Sequence, residues 1–232
     1  MEQEDYLANH FINRSNWLRA AVLGANDGIL SIASLAIGVA SASDLRAPVV
    51  LASIAGLVGG ALSMAAGEYV SVSSQTDIEN ADIERERIEL QEKPAVELQR
   101  LAEIYEGRGL KKKTALQVAK ELTKQDALEA HVRDELGINN VSKANPLQAA
   151  LASGFSFVIG GILPTLTALF LPVNKLEYYL YGFSIIFLMM LGVIAAKTGG
   201  SSVGKAITRI TLWGTIAMGL SAFVGYLFGV DI

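Results

Sequence analysis

The chain has no cysteine. Disulfides, thiolate metal sites and cysteine nucleophiles are therefore excluded. It has only two histidines, too few for a histidine-rich catalytic metal centre. No phosphate-binding glycine loop and no nucleophile motif occurs, so an enzyme is not expected. Basic residues are not in excess: 19 Lys and Arg face 23 Asp and Glu, a net charge of −4. That balance argues against a nucleic-acid partner. The opening stretch MEQEDYLANHF is acidic and lacks a basic segment ahead of an apolar core, so no cleavable signal is expected.

Apolar residues, by contrast, are abundant. They make up 51% of the 232 residues and cluster in blocks of roughly 20, the length that crosses a hydrocarbon core of about 30 Å. The expected fold is all-α: a polytopic membrane protein with five transmembrane helices and a cytosolic helical insert between the second and third. The first span should run from Trp17 to Ala40, followed by a short turn with Asp44 and Arg46. Pro48 suits the first turn of the second span, to Ser74. Pro146 opens the third, to Phe170. The fourth covers Tyr178 to Ala196 and the fifth Ala206 to Phe228. The expected divisions are thus 1–74, 75–143 and 144–232. With five spans, Arg14, Arg19, Lys197, Lys205 and Arg209 fall on one side and only Arg46 and Lys175 in the short loops of the other. The positive-inside rule then puts the N-terminus and the insert in the cytosol and the C-terminus outside.

The insert is dense in Glu, Lys and Arg, with Leu and Ile at helical spacing. No helix breaker lies between Tyr69 and Lys93, so the second span should continue into it. Pro94 should start the next helix, and Gly107 and Gly109 should stop it. One or two further helices should end at Gly137. Such a bundle has a thin core, and packing against a second copy would help it.

Three groups of residues invite a chemical reading. Asp27 stands in the apolar run GANDGIL, roughly 15 Å along the first span at 1.5 Å per residue. A carboxylate at that depth costs several kcal/mol unless paired, hydrated or ion-bound, which marks an ion path, a proton relay or a ligand. The structural alternative is an acid satisfied by Ser31 or Asn26. Next, Gly56, Gly60, Met64 and Glu68 recur every four residues and share one face of the second span. Met64 lies at a depth similar to that of Asp27, and Glu68 near the cytosolic mouth. Oxygen with a soft sulfur suits Fe2+ or Mn2+ better than Ca2+ or Mg2+, although methionine in a span is more often packing. Finally, Asp82, Glu86 and Glu89 form a row on one helix face, followed by Glu97 and Glu135. On charge pattern alone this reads as a solvated face, because Arg85, Arg87 and Arg100 are interleaved. His131 by itself reads as structural.

GANDGILS in the first span, SMAAGEYVSVSSQ closing the second, and then DIERERIEL, AEIYEGRGL and ELGI resemble the vacuolar iron transporter family over nearly the whole chain. The resemblance implies a homodimer in the lipid bilayer, with the ion path between protomers. It implies export of Fe2+, and also Mn2+, from the cytosol in exchange for protons. It matches Asp27 and Met64 to the membrane metal site, with Glu68 after them. It matches Glu86, Glu89, Glu97 and Glu135 to the metal-binding insert. Two departures stand out: Arg100 where the family can have a further glutamate, and His131 with Val132 where plant-type inserts can have a methionine pair. The insert is then expected to hold fewer ions, to hold them more weakly, or to use His131 instead. No resident cofactor is implied; the ions are cargo. The expected membrane is a bacterial cell membrane. The rival reading is a membrane-anchored metal sensor or buffer whose insert binds the ions.

Overall fold

A computed structural model describes residues 15–138 and 145–229, with side chains from residue 21 onward. The N-terminal residues that carry Arg14, and the end of the insert through Lys143, lie outside the described residues. The described residues form seven helices and no strand: α1 Ser15–Ala42, α2 Arg46–Glu92, α3 Pro94–Gly107, α4 Lys112–Asp134, α5 Pro146–Phe170, α6 Leu176–Thr198 and α7 Val203–Phe228. Five of them (α1, α2, α5, α6 and α7) are long and apolar enough to cross a membrane. The third span has the expected limits, Pro146–Phe170, and the others run past theirs at one or both ends, because helix ends extend into residues that the apolar count leaves out. The second apolar stretch does continue, as a single 47-residue helix.

Two compact units divide the chain. One comprises residues up to Tyr69 together with Leu147 onward, and the other is Val70–Pro146. In the first, Ile29, Ala33, Ala36 and Ile37 line one stripe of α1 and pack with Leu180 and Leu188 of α6 and Met218 of α7. Small residues bring these backbones close, as apolar packing within a bilayer requires. A side chain added at Gly225 would strike the Gly38 carbonyl, so α7 touches α1 at the backbone. Polar links also join the helices. Ser221 donates to the Ser34 carbonyl at 2.7 Å. Arg46, at the start of α2, donates to the carbonyls of Leu169 and, at 2.6 Å, Leu171. It thereby satisfies the open C-terminal end of α5. Large apolar side chains such as Leu51, Phe155, Trp213 and Phe228 face outward, which is stable in lipid and not in water.

The third span holds Pro164 within an unbroken helix. Proline removes one backbone donor. The Thr165 hydroxyl donates to the Gly161 carbonyl at 2.8 Å, one turn back, so this hydroxyl is satisfied within the span.

In the second unit, α3 and α4 pack through Leu101 and Ala102 against Ala119 and Ala130, with Leu98, Tyr105, Leu116 and Leu122 alongside. The core is small, as its sequence suggests. α3 ends at Gly107, and Gly109 takes a left-handed φ of 98°. α4 is two helical segments joined at Asp126, whose backbone is extended. Asp126 accepts the Glu129 amide at 2.9 Å, so it caps the second segment, the one that carries His131.

Candidate metal sites

Asp27 is half-buried in α1. The Ser31 hydroxyl, one turn on, donates to its Oδ1 at 2.7 Å. One donor occupies only part of a carboxylate that can accept about four hydrogen bonds. The glycines on either side explain why GANDGIL is spelled as it is. Gly24 and Gly28 share a helix face. A side chain at Gly24 would meet the Ser153 carbonyl at 2.7 Å, and one at Gly28 would strike the Phe157 carbonyl. From the other helix, a side chain at Gly160 would strike the Ala25 carbonyl. α1 and α5 are therefore in backbone contact along the stretch that holds Asp27, which fixes its height along α5 and its rotation. On α2, Gly56 faces Leu35 and Ile32, and Gly60 faces the Phe157 ring. Met64 and Glu68 follow on the same stripe, both half-buried.

The insert holds a tighter group. Glu86 of α2, Glu97 in the first turn of α3, and His131 and Glu135 at the end of α4 each offer a ligand atom, all within 4.8 Å of one another. Among the described residues this is the one such group of three or more His, Asp or Glu. Glu86, Glu97 and His131 are buried, and His131 is fully so. Local structure accounts for their placement. Pro94 opens α3 and sets Glu97 in its first turn, where the helix dipole favours an acid. His131 and Glu135 lie four apart on one face, and Glu135 caps α4 by donating its amide to the His131 carbonyl at 2.8 Å.

The charges in this group are only partly balanced. Arg100 lies 3.3 Å from Glu89, 3.1 Å from Glu97 and 3.4 Å from Glu135. His131 Nδ1 lies 3.0 Å from Glu135 Oε2 and 2.9 Å from Glu86 Oε1. The contact with Glu135 is a hydrogen bond. The approach to Glu86 has ion-pair distance without hydrogen-bond alignment, so Glu86 Oε1 is buried without a hydrogen-bond partner; the other ring nitrogen, Nε2, is buried without one as well. Glu86 lies beyond the apolar part of α2. Burial, and then the Glu135 charge, push its carboxyl above the usual carboxylate range; His131 opposes this, and Glu97 and Glu89 add to it. A buried carboxyl crowded by other acids in this way has room for a cation beside it.

The neighbouring Asp134 is a structural contrast. Burial works against its charge, yet hydrogen bonds from Arg133, Arg108 and Tyr105 prevail and hold its carboxyl below the usual range. The Tyr105 hydroxyl donates to it at 2.9 Å.

The solvated face read from charge pattern is therefore half right. Asp82 pairs with Arg85, and Glu84 with Arg87, along the helix surface. Glu86 and Glu97 instead turn inward. Of the expected insert residues, Glu86, Glu97 and Glu135 converge, and Glu89 is tied to them through Arg100. His131, structural when read by itself and an alternative ligand under the family resemblance, stands among them. Its signal in the sequence was its spacing of four from Glu135. A separate cavity of about 930 Å3, lined by Asp44, Lys175, Glu177, Tyr178 and Tyr226 among others, includes none of the expected ligands.

Comparison with known proteins adds to this geometry. Residues 18–226 match the VIT family model. A vacuolar iron transporter of Acanthamoeba castellanii is 41% identical over 93% of this chain and 80% of its own length. Vacuolar iron transporter homolog 2.1 of Arabidopsis thaliana is 34% identical over 97% and 86% respectively, and vacuolar iron transporter homolog 1 of rice 35% over 95% and 78%. With a family match over most of its length and relatives of this similarity, the chain belongs to the VIT family, a family of transporters and not of enzymes.

Proposed function

We propose that this protein carries Fe2+, and also Mn2+, out of the cytosol across a membrane in exchange for protons. The observation that carries the reading is Asp27: a carboxylate within an apolar span, held in register with α5 by glycine contacts on both sides. A protein that only senses or stores metal has no use for an acid there, whereas a carrier does. Met64 and Glu68 complete the proposed path, with Glu68 receiving the ion at the cytosolic mouth and Asp27 with Met64 holding it within the bilayer. The donor set of oxygen and thioether suits a borderline transition metal. A proton returning on Asp27 or Glu68 resets the carrier.

The carrier acts as a homodimer. The apolar window of α2 is only 11% buried within one chain, the least of the five spans, and it is α2 that carries Met64 and Glu68. The insert lies on the cytosolic side and collects ions on Glu86, Glu89, Glu97 and Glu135 before they reach the membrane. The N-terminus shares that side and the C-terminus is outside; the membrane is a bacterial cell membrane.

The test is Fe2+ uptake into proteoliposomes of purified protein with a pH-sensitive dye inside and the membrane potential clamped. Metal movement inward with protons outward supports exchange. Asp27→Asn should abolish uptake and leave metal binding by the insert intact. Binding without uptake under every gradient would replace the carrier with a membrane-anchored sensor or buffer.

A further inference from the structure

His131 is 0% exposed. Its Nδ1 sits between two carboxylates, 2.9 Å from Glu86 and 3.0 Å from Glu135. A hydrogen on Nδ1 serves Glu135 and leaves Glu86 Oε1 orphaned. A divalent ion in the place of that hydrogen would serve both carboxylates and the ring together. The spacing is suitable: adjacent ligands around an octahedral ion with bonds of about 2.1 Å stand roughly 3 Å apart, and opposite ones roughly 4 Å. The two nitrogen–oxygen separations match the first figure, and a small closure of the 4.8 Å group reaches the second.

We propose that His131, through Nδ1, is a metal ligand alongside Glu86, Glu97 and Glu135, so that the insert holds a mixed nitrogen–oxygen site. Imidazole nitrogen favours transition metals such as Fe2+, Ni2+, Cu2+ and Zn2+, whereas an all-oxygen set also suits Mg2+ and Ca2+. His131 thus makes the insert a filter that admits transition metals and refuses the far more abundant hard cations. The inference rests on the reading of the insert as a metal-collecting unit.

The test uses the full-length protein in detergent. Asp27→Asn is included to silence the membrane site, and His10→Ala to remove the other histidine. One equivalent of Cu2+ is added, and nitrogen coupling is read by electron paramagnetic resonance. A single imidazole nitrogen is expected, and it should vanish in His131→Gln. In parallel, Co2+ affinity should fall by about tenfold or more in His131→Gln, at least the size of losing an outer-shell contact, while Mg2+ affinity is unchanged. The wild-type spectrum reports on the ligand even where the variant fails to fold. Metal bound through oxygen alone, or equal Co2+ affinity in a folded variant, overturns the role of His131 and leaves the insert as a metal site. No binding at all overturns both.

Discussion

Arg100 already occupies the insert's acids with a positive charge of its own, so an incoming ion must displace it. Arg100→Gln should therefore tighten metal binding. A guanidinium–carboxylate pair about 4 Å apart interacts by roughly 1 kcal/mol at the dielectric constant of water and roughly 4 kcal/mol at an effective value of 20. The Arg100 side chain is 47% exposed, which places it toward the aqueous end, where measured pairs contribute about 0.2–1 kcal/mol each. Three such pairs, to Glu89, Glu97 and Glu135, sum to about 1–2 kcal/mol after that screening. An ion that replaces Arg100 loses that amount, so the variant should bind about 5- to 30-fold more tightly. The assay is calorimetric titration of full-length Asp27→Asn protein with Co2+ at low ionic strength, with and without Arg100→Gln. The gap should narrow in high salt, since exposed charges are screened. Unchanged or weaker binding in a folded variant would refute the reasoning and show that Arg100 organises the carboxylates for the ion.

Other perturbations probe the supports of the two sites. Gly28→Ala drives a methyl group into the Phe157 carbonyl and to 2.8 Å from the Gly161 amide; overpacking against backbone should cost about 1–3 kcal/mol, seen as a lower melting temperature in detergent together with loss of transport. Asp126→Ala removes the cap from the segment that carries His131, which should cost about 1 kcal/mol and weaken metal binding by the insert with little effect on the thermal stability of the spans. Asp134 contributes stability that is complete above the ordinary aspartate range and is lost as pH falls through its depressed folded value. Asp134→Asn should flatten the acid side of the metal-free stability profile relative to wild type, and an unchanged slope would count against that assignment.

Much of this protein was legible in one dimension, because a bilayer imposes one-dimensional rules. Twenty apolar residues suffice to define a span, so α1, α2, α5, α6 and α7 follow from composition, and the helix limits at Pro94, Gly107 and Pro146 follow from residues whose backbone preferences are local. Asp27 was conspicuous for the same reason: a charge in an apolar run is costly wherever the helix packs. The acids of the insert were not legible in this way. Glu84 and Glu86 are two residues apart and chemically identical, yet Glu84 pairs with Arg87 on the surface and Glu86 is buried against His131. That choice depends on how α3 and α4 pack beside α2, which no local spacing records. For His131 the sequence left a structural role and a ligand role both open, and only the fold, with α4 bent at Asp126, sets it beside Glu86, 45 positions earlier in the chain. Spans are set by what each segment does in lipid. A metal site is set by which side chains meet, and only the tertiary structure decides that.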